Sequence, residues 1–280
     1  MLARKNWMPR KLVAPTAKPI KLTPIHANLG IEAAYRKKLQ ALIAEMSNST
    51  IYWTRAAWKK APPISSIAQD RGRGLPIIDL RRTMERLARH WQRRFDDLAP
   101  ELAKVFVDGA TSTTDAAMMA SLKNAGFTVR FQMTQAAKEG YQAVLAENVG
   151  LIKSIPAEYL LDVQQKVWGA VKSGYDLETL TKGLQADYGV SFRRASLIAR
   201  DQSNKAKAVI EQIRRQELGI EEADWQHSGG GKEPRKSHVE ANGKRFKLAK
   251  GMLIDGEYIM PGYLINCRCT SRAIIPGFED

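Results

Sequence analysis

The sequence of 280 residues is 44% hydrophobic and 26% charged, enough apolar content for a packed core, which excludes a chain disordered along its length. Its formal net charge is +15, and residues 1–100 hold 20 Lys and Arg against 7 Asp and Glu, so +13 of that charge sits in the N-terminal third. No run of about 18 apolar residues occurs and none follows the basic start, so neither a membrane span nor an export signal is expected.

A local excess of positive charge concentrates and steers partners of opposite sign, which are nucleic acid, an acidic protein surface or an anionic membrane. Residues 1–30 carry Pro9, Pro15, Pro19 and Pro24 among Lys and Arg. They read as an extended basic arm that gains order only from a partner. From Ile31 to Met46 the apolar residues Ala34, Leu39, Leu42, Ile43 and Met46 share one helical face. Pro62, Pro63, Gly72, Gly74 and Pro76 then punctuate a loop.

Ile77 to Leu98 is a stronger helix, with Leu80, Met84, Leu87, Trp91, Phe95 and Leu98 on one side. Thr114 to Glu147 reads as helix interrupted near Asn124-Ala-Gly126, which makes 31–147 a basic α-helical region. Pro156 suits the first turn of a helix ending near Ser173-Gly174. Asp176 and Ser191 are expected N-caps for helices over 177–188 and 192–218, and Gly219 closes the second.

Beyond Gly219 the chain changes character. Asn242-Gly243 and Asp255-Gly256 are the pairs that two-residue hairpins require, because both central positions need positive φ. Arg245–Leu248 and Glu257–Met260 are expected strands. The fold class expected is α+β, a predominantly α-helical body with a small β-hairpin-rich C-terminal module. The last domain runs over 148–280, with helices in 156–218 and the β-rich module in 220–275.

Three sets of residues carry chemistry. His238, Cys267 and Cys269, with His227 as a fourth, are residue types that hold structural zinc, although the usual Cys-x₂₋₄-Cys spacing is missing. The competing reading makes the cysteines small buried residues and has His238 hydrogen-bonding to Asn266 or to backbone. Cys267 and Cys269 are too close in sequence to close an ordinary disulfide, so a reducing compartment is expected.

The second set is basic: Arg71 and Arg73 in the loop, then Arg81, Arg82, Arg86, Arg89, Arg93 and Arg94 along the 77–98 helix. Nearby acids are too few to pair with this face, so it is read as a DNA- or partner-binding surface. Tyr52, Trp53 and Trp58 among Arg55, Lys59 and Lys60 mix stacking with phosphate neutralisation, or else are core. Trp91, on the apolar stripe, is expected in the core.

The third set, Arg235, Arg268 and the Arg200-Asp201 pair, reads better as structural arginines bridging carbonyls and carboxylates than as catalytic groups. An acid–base pair would need His238 with Glu233 or Glu240.

Residues 148 to about 275 resemble the Mu F-like head-morphogenesis family. The resemblance rests on Leu151-Ile-Lys-Ser-Ile-Pro-Ala-Glu158, Val163-Gln-Gln-Lys-Val-Trp168, Tyr188-Gly-Val-Ser-Phe-Arg-Arg-Ala195 and Ile198-Ala-Arg-Asp-Gln-Ser-Asn-Lys205. It continues through Trp225, Pro234-Arg-Lys-Ser-His238, Asn242-Gly243-Lys244, Pro261-Gly262 and Asn266-Cys-Arg-Cys269. Many members carry Asp-x-Arg-x-Arg before the histidine; Gly231-Lys-Glu-Pro-Arg235 keeps only the second arginine.

The resemblance implies a minor head (capsid) protein of a tailed phage. A few copies would enter the procapsid with the portal protein and act in packaging or delivery of DNA. Implied partners are portal, major capsid or scaffolding protein and, through the basic third, double-stranded DNA without sequence preference; no membrane is among them. The place implied is the virion, in the head interior or at the portal vertex, after assembly in host cytoplasm. Some toxin chains join a Mu F-like module to an enzymatic domain, but only eleven residues follow Cys269, so none is expected here. No enzymatic activity and no cofactor beyond structural zinc is expected. The alternatives are a nuclease-like enzyme using His238 and a soluble nucleic-acid-binding protein outside the particle.

Overall fold

The computed structural model describes residues 18–60, 76–173, 177–230 and 233–276. Four long helices carry most of the chain: α1 (Leu29–Lys60), α2 (Pro76–Asn124), α3 (Gln135–Ser173) and α4 (Leu177–Glu217). Around and after them lie β1 (Ile20–Lys21), β2 (Glu222–Gln226), α5 (Lys236–Glu240), β3 (Arg245–Lys247), β4 (Met252–Ile254), β5 (Glu257–Ile259) and β6 (Thr270–Ile275). The expected α+β class holds.

The helices are longer than local signals suggest. Pro100 lies inside α2, and Pro156 lies inside α3 rather than in its first turn. Proline removes a helical hydrogen bond and costs about 3 kcal/mol in a helix interior. It is tolerated because the buried stripe runs through it. On α2 Phe95, Ala99, Ala103, Phe106 and Ala110 are buried in succession, and on α3 Ile152, Ile155, Tyr159, Val163 and Val167 are. Ser191 does not cap a new helix. It is buried in the middle of α4, on the same side as Leu184, Ala195 and Ile198, so tertiary burial overrides its capping preference. The expected helix end at Gly174, cap at Asp176 and loop prolines 62 and 63 fall outside the described residues.

Two helix ends carry clear chemical signals, and of these the Gly219 end was expected. Asn28 Oδ1 accepts the backbone N–H groups of Gly30 and Ile31 at 2.9 and 3.1 Å and caps α1. Gly219 takes φ +70° while Ile220 N–H reaches Arg215 O at 2.9 Å, closing α4 with the hydrogen bond expected of a left-handed C-terminal residue.

The chain forms two compact units, each drawn from separated segments. One takes the described residues before 33, 105–145 and those after 198; the other takes those within 33–104 and 146–198. In the second unit Leu39, Ile43 and Met46 of α1, Trp91 and Phe95 of α2, and Ile155 and Val163 of α3 are buried. Tyr35 and Tyr159 donate hydroxyl hydrogen bonds to Asn148 and Ser47 at 3.1 Å each, joining α1 to α3.

The first unit holds a four-stranded antiparallel sheet in the order β1-β6-β2-β3, with β4 and β5 as a separate hairpin. Residues 18–30 therefore do not wait for another molecule. Ile20 pairs with Ile275 and Lys21 with Ile274, and Leu22 and Ile25 are buried in a core with Met118, Leu122, Trp225 and Phe246. Pro19 and Pro24 bracket an edge strand, where a missing N–H is cheap. The β4–β5 turn is Asp255-Gly256 with φ 51° and 85°, the paired positive values its sequence demands.

Candidate functional site

Within the first unit, α4 carries charge into the interior. Lys207, Glu211 and Arg215, spaced one turn apart, are each 3% exposed. Glu211 accepts hydrogen bonds from both cations. Arg215 also donates to Ser271 Oγ and O at 2.6 and 3.0 Å, and so holds β6 against α4. Two turns nearer the N-terminus, Arg200 donates to Asn266 Oδ1 at 2.9 Å, while the backbone N–H of Asn266 donates to Asp201 at 2.9 Å. Arg235 donates to the carbonyl of Ile265 at 2.9 Å. These groups fix the loop before β6, in which Asn266 takes a left-handed φ of 62°. Arg200, Asp201 and Arg235 thus bridge backbone and amide groups, as the structural reading has it. Burial raises the Asp201 carboxyl, against the Asn266 N–H and the arginines around it.

The fixed loop presents Cys267 and Cys269, both buried, to His238 on α5. The Nδ1 atom of His238 lies 3.6 Å from Cys267 Sγ and 3.7 Å from Cys269 Sγ, and the three ligand atoms all fall within 4.8 Å of one another. His238 Nε2 is buried with no hydrogen-bond partner among the described residues, and the ring meets Trp225 of β2 edge to face at 5.3 Å. Asn266 is taken by Arg200 and Asp201, so the expectation that His238 bonds to it fails; its neighbours are the thiols. Both cysteines are free thiols. The hydrogen bond from Cys269 and the Gly262 N–H, 3.3 Å from its sulfur, hold the Cys267 thiol down to about 5, while that same hydrogen bond, together with burial, pushes Cys269 up.

His227 lines the same cavity of about 360 Å³, together with Glu233, Arg235 and Arg268, but stands apart from the three clustered donors. Its Nδ1 accepts the Gly229 N–H at 3.1 Å and its backbone N–H donates to Asn242 Oδ1 at 2.9 Å. Glu240 is exposed, and neither it nor Glu233 hydrogen-bonds to His238 among the described residues.

The basic set lies in the second unit. Arg81, Arg82, Arg86, Arg89, Arg93 and Arg94 are exposed on one side of α2, and Trp91 is buried on the other. Arg81, Arg82 and Arg94 have carboxylate partners at 3.7 to 3.9 Å, long and exposed pairs that contribute little. Arg86, Arg89 and Arg93 have no ion pair among the described residues. With His90, Arg94 and Asp97 they line a shallow cavity of about 290 Å³. Arg71 and Arg73 lie outside the described residues. Of the aromatics, Trp58 is core, whereas Tyr52 and Trp53 are exposed and meet edge to face at 5.2 Å.

Sequence reasoning missed the buried Lys207-Glu211-Arg215 ladder and the Asp224 carboxylate of β2, which binds Lys21 at 2.7 Å and Arg245 at 3.3 Å. The four-residue spacing of the ladder was legible, but nothing local distinguishes such a row on a solvated face from the same row in a core.

Fold and cluster together define a mostly helical protein whose small antiparallel module is organised around a buried histidine and two thiols. Residues 161–272 match the family described as Phage Mu protein F like protein, and that stretch is similar to the family, in keeping with the resemblance its motifs imply. The match suggests a phage head-morphogenesis protein. An uncharacterised protein of Haemophilus influenzae is 30% identical over 280 residues, covering 98% of this chain. The chain spans about 60% of the length of that curated relative. No solved structure matches it. No helix among the described residues is long and apolar enough to cross a membrane.

Proposed function

We propose that this chain is a minor head protein of a tailed phage, present in few copies at the portal vertex or head interior, where it takes part in packaging or delivery of DNA and catalyses no reaction. The observation that carries this reading is the Mu F-like stretch over 161–272, which takes in the C-terminal end of α3, all of α4 and most of the β module.

The exposed arginines of α2 support contact with an anionic partner. Guanidinium groups without internal carboxylates retain their charge for phosphates or for acidic parts of portal, coat or scaffolding subunits. Against an enzyme stands the placement of His238, whose neighbours are two buried thiols and not a carboxylate.

Quantitative mass spectrometry of purified procapsids and virions tests the proposal. A few copies per particle are expected, lost when the portal is deleted. Absence from both kinds of particle would remove it.

A further inference from the structure

We propose that His238, Cys267 and Cys269 bind one zinc ion, with a solvent molecule from the adjoining cavity as fourth ligand. A tetrahedral zinc with bonds of about 2.3 Å to sulfur and about 2.0 Å to nitrogen sets its nitrogen and sulfur ligands about 3.5 Å apart. His238 Nδ1 stands at 3.6 and 3.7 Å from the two sulfurs. Hydrogen bonding explains this arrangement less well. Neutral imidazole has one lone pair at Nδ1 and can accept one S–H, yet both sulfurs are held equidistant from it.

All three donors are buried, and their surroundings suit bound thiolates. The Gly262 N–H donates to Cys267 Sγ at 3.3 Å, and the Ser228 N–H is directed at Cys269. Such backbone donors, held by the fold, orient sulfur ligands and stabilise their charge. Gly262 has φ +91°, and a Cβ there would approach the Asn204 carbonyl to 3.3 Å, so the donor is tied to a position that favours glycine. Two thiolates, a neutral imidazole and Zn²⁺ sum to zero charge, which lowers the cost of burying the group.

The fourth direction opens to the cavity lined by His227, Glu233 and Arg268. His227 already accepts a backbone N–H at Nδ1, and Arg235 is committed to Ile265. Solvent therefore completes the shell. The ion would join α5 to the loop before β6, to which Arg235, just ahead of α5, also donates.

The test uses the full chain purified under reducing conditions. Plasma mass spectrometry should find about one zinc per chain, falling below about a tenth in Cys267→Ser/Cys269→Ser and in His238→Ala. Because those variants can fail by misfolding, the unaltered chain stripped of metal is also titrated with Co²⁺. It should develop thiolate-to-metal charge-transfer absorption and the intense visible bands of tetrahedral cobalt at one equivalent, and removing the metal should lower Tm. His227→Ala should retain the zinc. Failure to take up zinc from a Zn²⁺-supplemented buffer, or cobalt bound without a sulfur band, overturns the site; loss of metal in His227→Ala overturns the solvent ligand.

Discussion

Asp224 shows how a single residue joins three strands. It sits on β2, and its carboxylate takes a hydrogen bond from Lys21 on β1 and another from Arg245 on β3. Burial by itself would raise the carboxyl, but these two cations outweigh it and hold it below the ordinary range. A depressed folded value means that the contribution is complete above the unfolded value, about 3.9, and is lost as pH falls through the folded one. Asp224→Asn should therefore be less stable than the parent by about 1–2 kcal/mol at neutral pH. The gap should close on acidification below about pH 4 in denaturant titrations. A gap unchanged down to about pH 2 would mean that the charge is not what matters.

Among the elements α4 has the most to lose. Its Lys207-Glu211-Arg215 ladder places two cations and one carboxylate in the interior, where the anion offsets the cost of burying both neighbours. Glu211→Gln keeps the shape and removes the charge, leaving two buried cations in an apolar setting. Loss of about 3 kcal/mol is expected, read as a lower denaturation midpoint at unchanged slope. Glu211→Gln at parental stability would show that water or Ser271 and Thr270 suffice. The same helix shows why element boundaries were harder to read than element types. Ser191 has the chemistry of a cap, and Pro100 and Pro156 that of a break or a start, but each lies within a continuous buried stripe whose packing outweighs the local preference.

For the whole molecule the decisive quantity is where its charge lies. Of the net +15, +13 belongs to the first 100 residues, and the described part of that excess includes one face of α2. If the face contacts DNA, affinity in the full chain should fall steeply with salt, and each phosphate contact removed should flatten the dependence by about 0.9 in the logarithmic slope. Arg86→Ala/Arg89→Ala/Arg93→Ala should reduce that slope by roughly 3, leaving weaker, sequence-independent binding. A slope identical to that of the parent would exclude these three arginines from the contact.

By itself the sequence determined what depends on short-range chemistry and on motif order. The α+β class, Gly219 as the end of α4, the Asp255-Gly256 hairpin, the burial of Trp91 and the Mu F-like stretch were all legible. Helical and hairpin signals act over a few residues, and a motif series survives being read in one dimension. Tertiary structure decided everything that depends on residues far apart in the chain. It placed Ile20 and Lys21 beside β6, more than 250 positions away, buried the α4 ladder, kept His227 out of the thiol cluster and gave Asn266 to Arg200 and Asp201. The Cys-x-Cys segment and His238 were recognisable as possible ligands, but only packing sets distances, and 3.6 and 3.7 Å from one imidazole nitrogen to the two sulfurs are a property of the folded loop. A sequence records which donors exist; burial and long-range contact determine which of them meet.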